Sequence, residues 1–402
     1  MARKIVAAPK DLSASTSYSR ARYAHPFYLP VAPEARQPVN GFHRITQWSK
    51  TQLGPVPPVK GDGIMQLSDI IGSAGAGEIT NLGELRFQAL GDTGVNHADV
   101  AEQIAEEMAG DFKAGAGALN PAFLFHLGDI IYGPGKEDHY GERFYRPYRR
   151  YPGKIIAIPG NHDGESRSAA DEPSLNAFQA NFCAETAAVP NQASNSGIYR
   201  ETMTQPGVYW MLDAPFLRIV GLYSSRLENP GFLEGDGGND TSQLDWLKKT
   251  LKGISRSRES KALIIATHHP PYSSGGHDGS TEMSQSIDAI CADTGVFPDA
   301  VLSGHSHNYQ RYTRRIRGKQ VPYIVAGTGG IGTQRVPVAS GQPAGDSSET
   351  TYDGAMQAHG YLFATASARE LKFEFRPLAD GNLVQPYDRF TVDLGTHTLT
   401  RG

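Results

Sequence analysis

Residues 123–132 read FLFHLGDIIY, an apolar run that ends in a glycine, a carboxylate and, three residues later, a phenol. The run predicts a buried strand over Phe123 to Leu127, with Asp129 just past its end. A polar cluster directly after an apolar run occurs at four other places in the chain. These are Gly91-Asp92-Thr93-Gly94, Gly160-Asn161-His162-Asp163, Thr267-His268-His269-Pro270 and Gly304-His305-Ser306-His307. Each motif alone is weak evidence of a functional site, but five in series, each after an apolar run, are strong evidence.

Strand and helix patterns alternate between these motifs. The apolar runs Leu85 to Leu90, Lys154 to Ile158 and Ala262 to Ala266 predict further strands. Between the first two motifs, apolar residues recur every four positions from Val100 to Phe112, which predicts an amphipathic helix. Alternation of this kind favours an α/β layer architecture. In such sheets ligands bind beyond the carboxyl ends of the strands, so the five motifs are expected on one rim.

The chain divides into three parts. Residues 1–84 are rich in proline and glycine and predict an extended, irregular arm with at most a short helix, or alternatively a disordered tail. Residues 85–395 form the predicted catalytic domain, which ends in antiparallel strands, and 396–402 form a tail. Within the domain, residues 328–353 are rich in Gly, Ser, Thr and Pro and predict a long loop.

Composition excludes several classes of protein. Hydrophobic residues make up 39% and charged residues 20%, and the formal net charge of −4 gives no reason to expect nucleic acid as a partner. No segment reaches the ~20 apolar residues of a membrane span, and no signal peptide is visible. A cytoplasmic protein is therefore expected, or a periplasmic or secreted one if a leader was removed. Cys183 and Cys291 are expected to be buried or inert thiols, although they could pair. The oligomeric state stays open.

The five motifs together supply carboxylates, imidazoles, one amide oxygen and one phenol, which is a ligand set for two adjacent metal ions. Asp129 could bridge two cations with its two oxygens. Tyr132 could bind a strongly Lewis-acidic cation as tyrosinate, or could simply pack in the core. His162 could contact a phosphate or protonate a leaving oxygen, or could have a structural role.

The histidine pairs differ in their geometry. His268 and His269 are adjacent and would point in different directions from a strand end, so at most one of them is expected to be a ligand. His305 and His307 are two residues apart and can face the same side.

These motifs resemble those of the calcineurin-like metallophosphoesterase superfamily, and most closely those of its purple acid phosphatase branch. The usual superfamily pattern opens with Asp-x-His, but here Gly94 stands in place of the histidine. The usual second motif has no metal-binding tyrosine, but here Tyr132 is present. One ligand is lost and another gained, and this exchange is typical of the purple branch. The resemblance implies an α/β (α+β) fold, a four-layer αββα sandwich with two mixed β-sheets and a dinuclear metal site at the carboxyl-terminal rim of the strands.

The resemblance also implies a role for each matching residue. Fe(III) would be held by Asp92, Asp129, Tyr132 and His307. A divalent ion, Fe(II), Zn(II) or Mn(II), would be held by Asp129, Asn161, His268 and His305, with Asp129 as the bridge. His162 would contact substrate, and so would His277, which lies in a Ser-Gly-rich loop and is otherwise a solvated loop histidine.

The function implied is that of a metal-dependent phosphoesterase that hydrolyses phosphomonoesters of small molecules by attack of a metal-bound hydroxide. The main alternative is a phosphodiesterase or nucleotide hydrolase with two divalent ions on the same site. A non-catalytic protein that binds metal or phosphate is a third possibility. The physiological substrate and the identity of the divalent metal stay open.

Overall fold

The computed structural model describes residues 54–402, apart from gaps at 96–98, 168–170, 257–260, 342, 345–346, 380–381 and 384–385. The predicted arm therefore lies mostly outside the described residues, since 1–53 are not among them. The helices are α1 (Leu67–Leu82), α2 (Asp99–Ala109), α3 (Asn176–Phe182), α4 (Asn191–Ser194), α5 (Ser242–Arg256) and α6 (Thr281–Thr294). The strands are β1 (Ile64–Gln66), β2 (Glu84–Leu90), β3 (Phe123–His126), β4 (Lys154–Ala157), β5 (Trp210–Ala214), β6 (Leu217–Leu222), β7 (Ala262–Thr267), β8 (Ala300–Ser303), β9 (Tyr309–Ile316), β10 (Lys319–Ala326), β11 (Pro343–Ala344), β12 (Ser347–Met356), β13 (His359–Ser367), β14 (Glu370–Ala379), β15 (Asn382–Leu383), β16 (Asp388–Asp393) and β17 (Leu399–Arg401).

Within the described residues the strands form two mixed sheets. The nine-stranded sheet has the order β1-β5-β6-β7-β8-β10-β9-β12-β11, and its middle strands β6, β7, β8 and β10 are parallel. The eight-stranded sheet has the order β17-β16-β14-β13-β2-β3-β4, with β15 paired to β14. Its strands β2, β3 and β4 are parallel, and the rest pair antiparallel. The predicted antiparallel region at the end of the domain is confirmed.

Alternation of side chains along the central strands explains the layers. In β3, Phe123 and Phe125 point into the core between the two sheets, whereas Leu124 belongs to the core on the outer side. The same alternation holds in β7, where Ile264 faces the inner core and Ile265 the outer one. Because both faces of each sheet are apolar, helices must cover the outer faces. Helix α2 packs on β13 of the eight-stranded sheet, and α5 and α6 pack together in the outer core that includes β6 and β7. The predicted fold class, with two mixed sheets, is confirmed.

Both ends of the catalytic domain differ from the sequence expectation. The segment before residue 84 was expected to be irregular with at most a short helix, but it contains β1, which pairs with β5, and the 16-residue helix α1. Helix α1 breaks at Gly72, whose φ of 79° is outside the helical range. Residues 396–402, expected to be a tail, contain β17, which extends the eight-stranded sheet. The exact division into arm, domain and tail stays a prediction.

Two smaller expectations can be compared with the structure. Residues 328–353 were predicted to form a long loop, but they contain β11 and the first part of β12, which pair with each other. The prediction of a loop is therefore wrong for the second half of this segment. Cys183 and Cys291 are both free and buried, and burial raises the pKa of each thiol to about 12. The expectation of buried, unpaired thiols is therefore confirmed. In the part of the chain that the structure describes, no helix is long and apolar enough to cross a membrane.

Candidate metal centre

The five motifs meet on one rim, where the carboxyl ends of the parallel strands of both sheets lie side by side. Asp92, Asp129 and Asn161 follow β2, β3 and β4 of the eight-stranded sheet, and His268 and His305 follow β7 and β8 of the nine-stranded sheet. Main-chain hydrogen bonds join the motif loops within each sheet. Asp92 N donates to the Gly128 carbonyl at 3.0 Å, and Gly304 N donates to the His268 carbonyl at 3.0 Å. The predicted rim therefore exists as a continuous structure.

One group of polar atoms surrounds the Asp129 carboxylate. Asp129, His268 and His305 each offer a ligand atom within 4.8 Å of the other two. The His268 Nε2 lies 3.4 Å from Asp129 Oδ2 and 3.1 Å from the amide oxygen of Asn161. The other ring nitrogen of His268, Nδ1, lies 2.8 Å from the Leu127 carbonyl and must donate to it. Since Nδ1 carries the proton in the neutral ring, the lone pair of Nε2 points to this group.

A second group surrounds the Asp92 carboxylate. The Tyr132 hydroxyl donates to Asp92 Oδ1 at 2.9 Å and lies 3.1 Å from His307 Nε2. His307 Nε2 is also 3.6 Å from Asp92 Oδ1. The second oxygen of Asp92 accepts a hydrogen bond from the main-chain N–H of His305 at 2.8 Å. A carboxylate, a phenol and an imidazole thus converge on one point.

Position 94 lies where two segments of main chain approach each other closely. A Cβ atom built on Gly94 would lie 1.9 Å from the Ile130 carbonyl oxygen and 2.6 Å from the Ile131 Cα. The Gly94 carbonyl also accepts a hydrogen bond from Tyr132 N at 2.7 Å. Two main chains that approach so closely leave no room for any side chain at position 94. The close approach at position 94 and the contact of the Tyr132 hydroxyl with Asp92 therefore occur together in this structure.

Three of the rim residues have a left-handed backbone. The φ angles are 66° for Asp92, 52° for Asp129 and 68° for His305. Non-glycine residues rarely adopt this conformation, which costs on the order of 1–3 kcal/mol and is concentrated at functional sites.

His162 lies at the open side of this cluster. Its ring is 4.6 Å from the Tyr132 ring, and its main-chain N–H donates to Asp129 Oδ1 at 2.9 Å. The ring nitrogen Nδ1 lies 2.6 Å from Glu165 Oε2. Burial alone would lower the pKa of His162, but the carboxylates of Asp129 and Glu165 raise it to about 10. Glu165 therefore holds the His162 ring through Nδ1, and Nε2 takes no part in this contact.

His277 is not a solvated loop histidine. It is 7% exposed, and its ring lies 4.2 Å from the ring of His305 and 5.4 Å from that of His307. The Gln334 side chain lies 3.2 Å from His277 Nε2 and also accepts a hydrogen bond from His307 N at 3.1 Å. The structure therefore places His277 at the cluster, and the solvated alternative is wrong.

His269 points away from the centre. Its Nδ1 lies 2.9 Å from Ser224 Oγ, and its Nε2 lies 2.8 Å from the Leu227 carbonyl. Both ring nitrogens are therefore occupied by the loop after β6, whereas His268 Nε2 faces Asp129. Of the two adjacent histidines, only His268 has a nitrogen directed at the cluster.

Sequence reasoning missed three carboxylates of this region. One is Glu165, which holds the His162 ring. Asp163 accepts hydrogen bonds from the main-chain N–H groups of Ile130, Ile131 and Gly160 at 2.8–3.2 Å, and so joins the second and third motif loops. Glu228 accepts a hydrogen bond from Asn161 Nδ2 at 3.3 Å, and its other oxygen lies 3.4 Å from the Nδ1 of His277. Burial raises the pKa of Glu228 to about 7. Asp163 could have been found from the sequence because it directly follows His162 in the third motif. Glu228 lies in no motif, so nothing in the sequence pointed to it.

The donor set fits metal ions. Asp92 and Asp129 are 0% and 1% exposed, and no lysine or arginine of the described residues forms an ion pair with either. Burial raises the pKa of Asp92 to about 7, as expected for a carboxylate that lacks a cation. The buried Nε2 of His305 makes no hydrogen bond within the described part of the chain. Buried carboxylates and imidazoles with unused lone pairs are the ligands of first-row metal ions.

A two-sheet α/β protein with carboxylates and imidazoles clustered at its strand ends belongs to the class that binds metal ions at such a rim. More particularly, the chain belongs to the calcineurin-like phosphoesterase family, which matches residues 85–309, more than half of its length. This confirms the superfamily predicted from the motifs.

Two curated relatives are purple acid phosphatases of Arabidopsis thaliana. Purple acid phosphatase 18 is 30% identical over 139 residues, which are 33% of this chain and 29% of the relative. Probable purple acid phosphatase 20 is 28% identical over 140 residues, 33% of this chain and 30% of the relative. The predicted resemblance to this branch is confirmed, and the chain spans less than a third of either relative's length.

Similar solved structures are GAP50, described as the anchor in the inner membrane complex of Plasmodium, and PhoD. GAP50 has a TM-score of 0.49 and 14% identity, covering 76% of this chain and 88% of GAP50. PhoD has a TM-score of 0.49 and 12% identity, covering 79% of this chain and 71% of PhoD.

Proposed function

We propose that this chain is a dinuclear metal-dependent phosphoesterase that hydrolyses phosphomonoesters of small molecules, in the manner of the purple acid phosphatases. The observation that carries the proposal is the contact of the Tyr132 hydroxyl with both Asp92 and His307, at 2.9 and 3.1 Å, beside a position where Gly94 admits no side chain. This combination supports a phenol ligand in place of the missing histidine. The family match supports the phosphoesterase class.

The two groups of donor atoms would each hold one ion. Fe(III) would be held by Asp92, Asp129, Tyr132 and His307, and Fe(II), Zn(II) or Mn(II) by Asp129, Asn161, His268 and His305. Two adjacent metal ions, when bound, polarise a phosphate ester and lower the pKa of water towards neutrality.

The remaining residues would act on the substrate directly. His162 would donate a hydrogen bond from Nε2 to a phosphate oxygen, or a proton to the departing ester oxygen as the phosphorus–oxygen bond breaks. The bond of Nδ1 to Glu165 fixes the ring for this task. His277 would also contact the phosphate. Its Nε2 lies 3.2 Å from the Gln334 side chain and its Nδ1 lies 3.4 Å from Glu228, so the phosphate would have to replace one of these two partners.

Replacement of Tyr132 by Phe tests this proposal most directly. As tyrosinate on Fe(III), Tyr132 should give the purified, iron-loaded protein a violet charge-transfer band, and Tyr132→Phe should abolish the band because the phenolate oxygen is removed. Absorption spectra with metal analysis measure this. Tyr140→Phe is a matched control, since the buried Tyr140 hydroxyl has no hydrogen-bond partner in the described residues, and this variant should keep the colour.

Two results would contradict parts of the proposal. A colourless, iron-free and fully active enzyme would show that the proposed Fe(III) site is wrong. The phosphoesterase function would still stand, with two divalent ions bound and Tyr132 packed beside them. Metal-loaded protein that hydrolyses neither a monoester, a diester nor a nucleotide would contradict the enzymatic function itself. A preference for the diester or the nucleotide would correct the proposed substrate class.

A further inference from the structure

A cavity of about 430 Å³ lies next to the rim but contains none of the proposed metal ligands. Its walls come from the segments 54–57, 171–175 and 223–235. Gly164 separates it from the third motif, since a Cβ atom at that position would lie 3.0 Å from the Arg226 Cβ and 2.8 Å from the Tyr223 hydroxyl. The volume is within the range of small-molecule sites.

A buried arginine, Arg226, lines this cavity, and two of its guanidinium nitrogens have no hydrogen-bond partner within the described residues. Arg226 is 6% exposed, and its Nε and Nη2 atoms are buried and make no hydrogen bond within the described residues. Arg200 differs in part, because its Nη1 and Nη2 donate to the carbonyls of Gly153 and Tyr148 at 2.9 Å, and only its Nε has no partner within the described residues. A buried cationic donor is costly unless an anion accepts its hydrogen bonds.

The carboxylates around the cavity are engaged elsewhere. Asp171 forms an ion pair with Lys136 at 2.9 Å, and Glu172 accepts a hydrogen bond from the main-chain N–H of Glu137 at 3.1 Å. Glu234 accepts from its neighbour Leu233 N at 3.1 Å. Burial lowers the pKa of Arg226, and the contribution that opposes burial comes from Tyr223. The guanidinium is therefore left for an anion that comes from outside these residues.

The lining selects among anions. Apolar side chains such as Val56, Leu175 and Phe232 form much of the wall, and these favour an apolar body attached to the charged group. The carboxylates Asp171, Glu172 and Glu234 also line the cavity and would repel a doubly charged anion more strongly than a singly charged one. A planar guanidinium matches a carboxylate in a two-pronged hydrogen bond. A singly charged organic acid fits better than a doubly charged phosphate.

We propose that this cavity binds the carboxylate of a small apolar organic acid, with Arg226 as the anion-binding group. The site is separate from the metal centre and does not depend on the function proposed above. Its ligand would be recognised by one charge and one apolar body.

Titration calorimetry of the metal-loaded full chain with benzoate tests the proposal. Wild type should bind benzoate saturably, and Arg226→Met should bind it at least about tenfold more weakly, since a hydrogen-bonded charge is lost. Benzamide, which keeps the shape but lacks the charge, should bind wild type at least about tenfold more weakly than benzoate does. Arg150→Met is the matched control, because Arg150 is exposed and pairs with Glu106, and it should bind as wild type does.

A second variant covers the case in which Arg226→Met does not fold. Phe232→Ala removes part of the apolar wall at a half-buried position and should weaken benzoate binding while the protein still melts cooperatively. The proposal is overturned if wild type does not bind benzoate, if Arg226→Met binds it unchanged, or if benzamide binds as well as benzoate.

Discussion

The two sheets contribute different chemistry to the rim. The eight-stranded sheet carries the oxygen donors Asp92, Asp129, Tyr132 and Asn161, and the nine-stranded sheet carries the imidazoles of His268, His305 and His307. Each of the two proposed ion sites takes ligands from both sheets. The centre can therefore exist only where the sheets pack together, and the apolar core between them positions it.

The two sides of the rim are also held in place differently. The oxygen side is held from within its own sheet, because the Asp163 carboxylate accepts main-chain N–H groups from the second and third motif loops. The imidazole side is oriented from across the rim, since His268 Nδ1 donates to the Leu127 carbonyl of the other sheet, and His305 N donates to Asp92. A change on the oxygen side should therefore disturb both sides.

Asp129→Asn should have the largest effect. It removes the one charge that both proposed ion sites share, so both ions should be lost and the hydrolysis rate should fall on the order of 10³-fold. Metal analysis after dialysis and kinetics with a monoester measure this. Asp138→Asn, at an exposed position of the loop after β3, should change neither. Retained stoichiometric metal in Asp129→Asn would contradict the bridging role.

The imidazole side offers a pair of adjacent residues for comparison. His268→Ala should weaken binding of the divalent ion more than about 100-fold, since even the residues that only support a metal ligand contribute 10–100-fold. His269→Ala should keep both ions but lower the free energy of unfolding by about 1–3 kcal/mol, because the buried Leu227 carbonyl loses its partner and the Ser224 hydroxyl loses its contact with the ring. Metal content and thermal melting separate the two. Equal metal loss in both variants would show that the assignment to His268 is wrong.

The fold could be predicted where the signal is local. The strands that carry the motifs are continuous apolar runs, and β3 begins at Phe123 as the sequence indicates. Strand β9 was missed because it reads YQRYTRRI, in which three of eight residues are arginines and one of these, Arg311, is buried. Arg311 is buried there because Asp388, far along the chain, accepts from its Nε at 2.6 Å. Helix α1 was missed because its glycine-rich sequence has low helix propensity, and packing overrides it.

The site residues likewise divide into those that a local sequence pattern predicts and those that it does not. The ligand types lie within short motifs, so the sequence alone could group them on one rim. Glu228 and Gln334 reach the cluster from loops that carry no motif, and Glu228 is 67 residues from its partner Asn161. Contacts of this kind depend on how two long loops pack, which local patterns do not encode.

Glu228 is also the exception to the division between the sheets, because it follows β6 and brings an oxygen to the imidazole side. Its carboxylate lies between Asn161 Nδ2 and His277 Nδ1, at 3.3 and 3.4 Å, and so fixes the amide with its oxygen directed at His268. Glu228→Gln keeps the shape but removes the charge, and it should lower metal affinity and kcat about tenfold. Titration with the divalent ion and steady-state kinetics measure this effect.

Glu234→Gln is the matched control in the same loop, and it should leave both quantities unchanged because Glu234 bonds to Leu233 and Ser286 instead. If Glu228→Gln binds metal and turns over as wild type does, the carboxylate does not position Asn161. The oxygen donors that matter would then all belong to the eight-stranded sheet, and the division between the sheets would hold without exception. A tenfold loss confined to the Glu228 variant would instead show that the nine-stranded sheet orients an oxygen ligand of its neighbour.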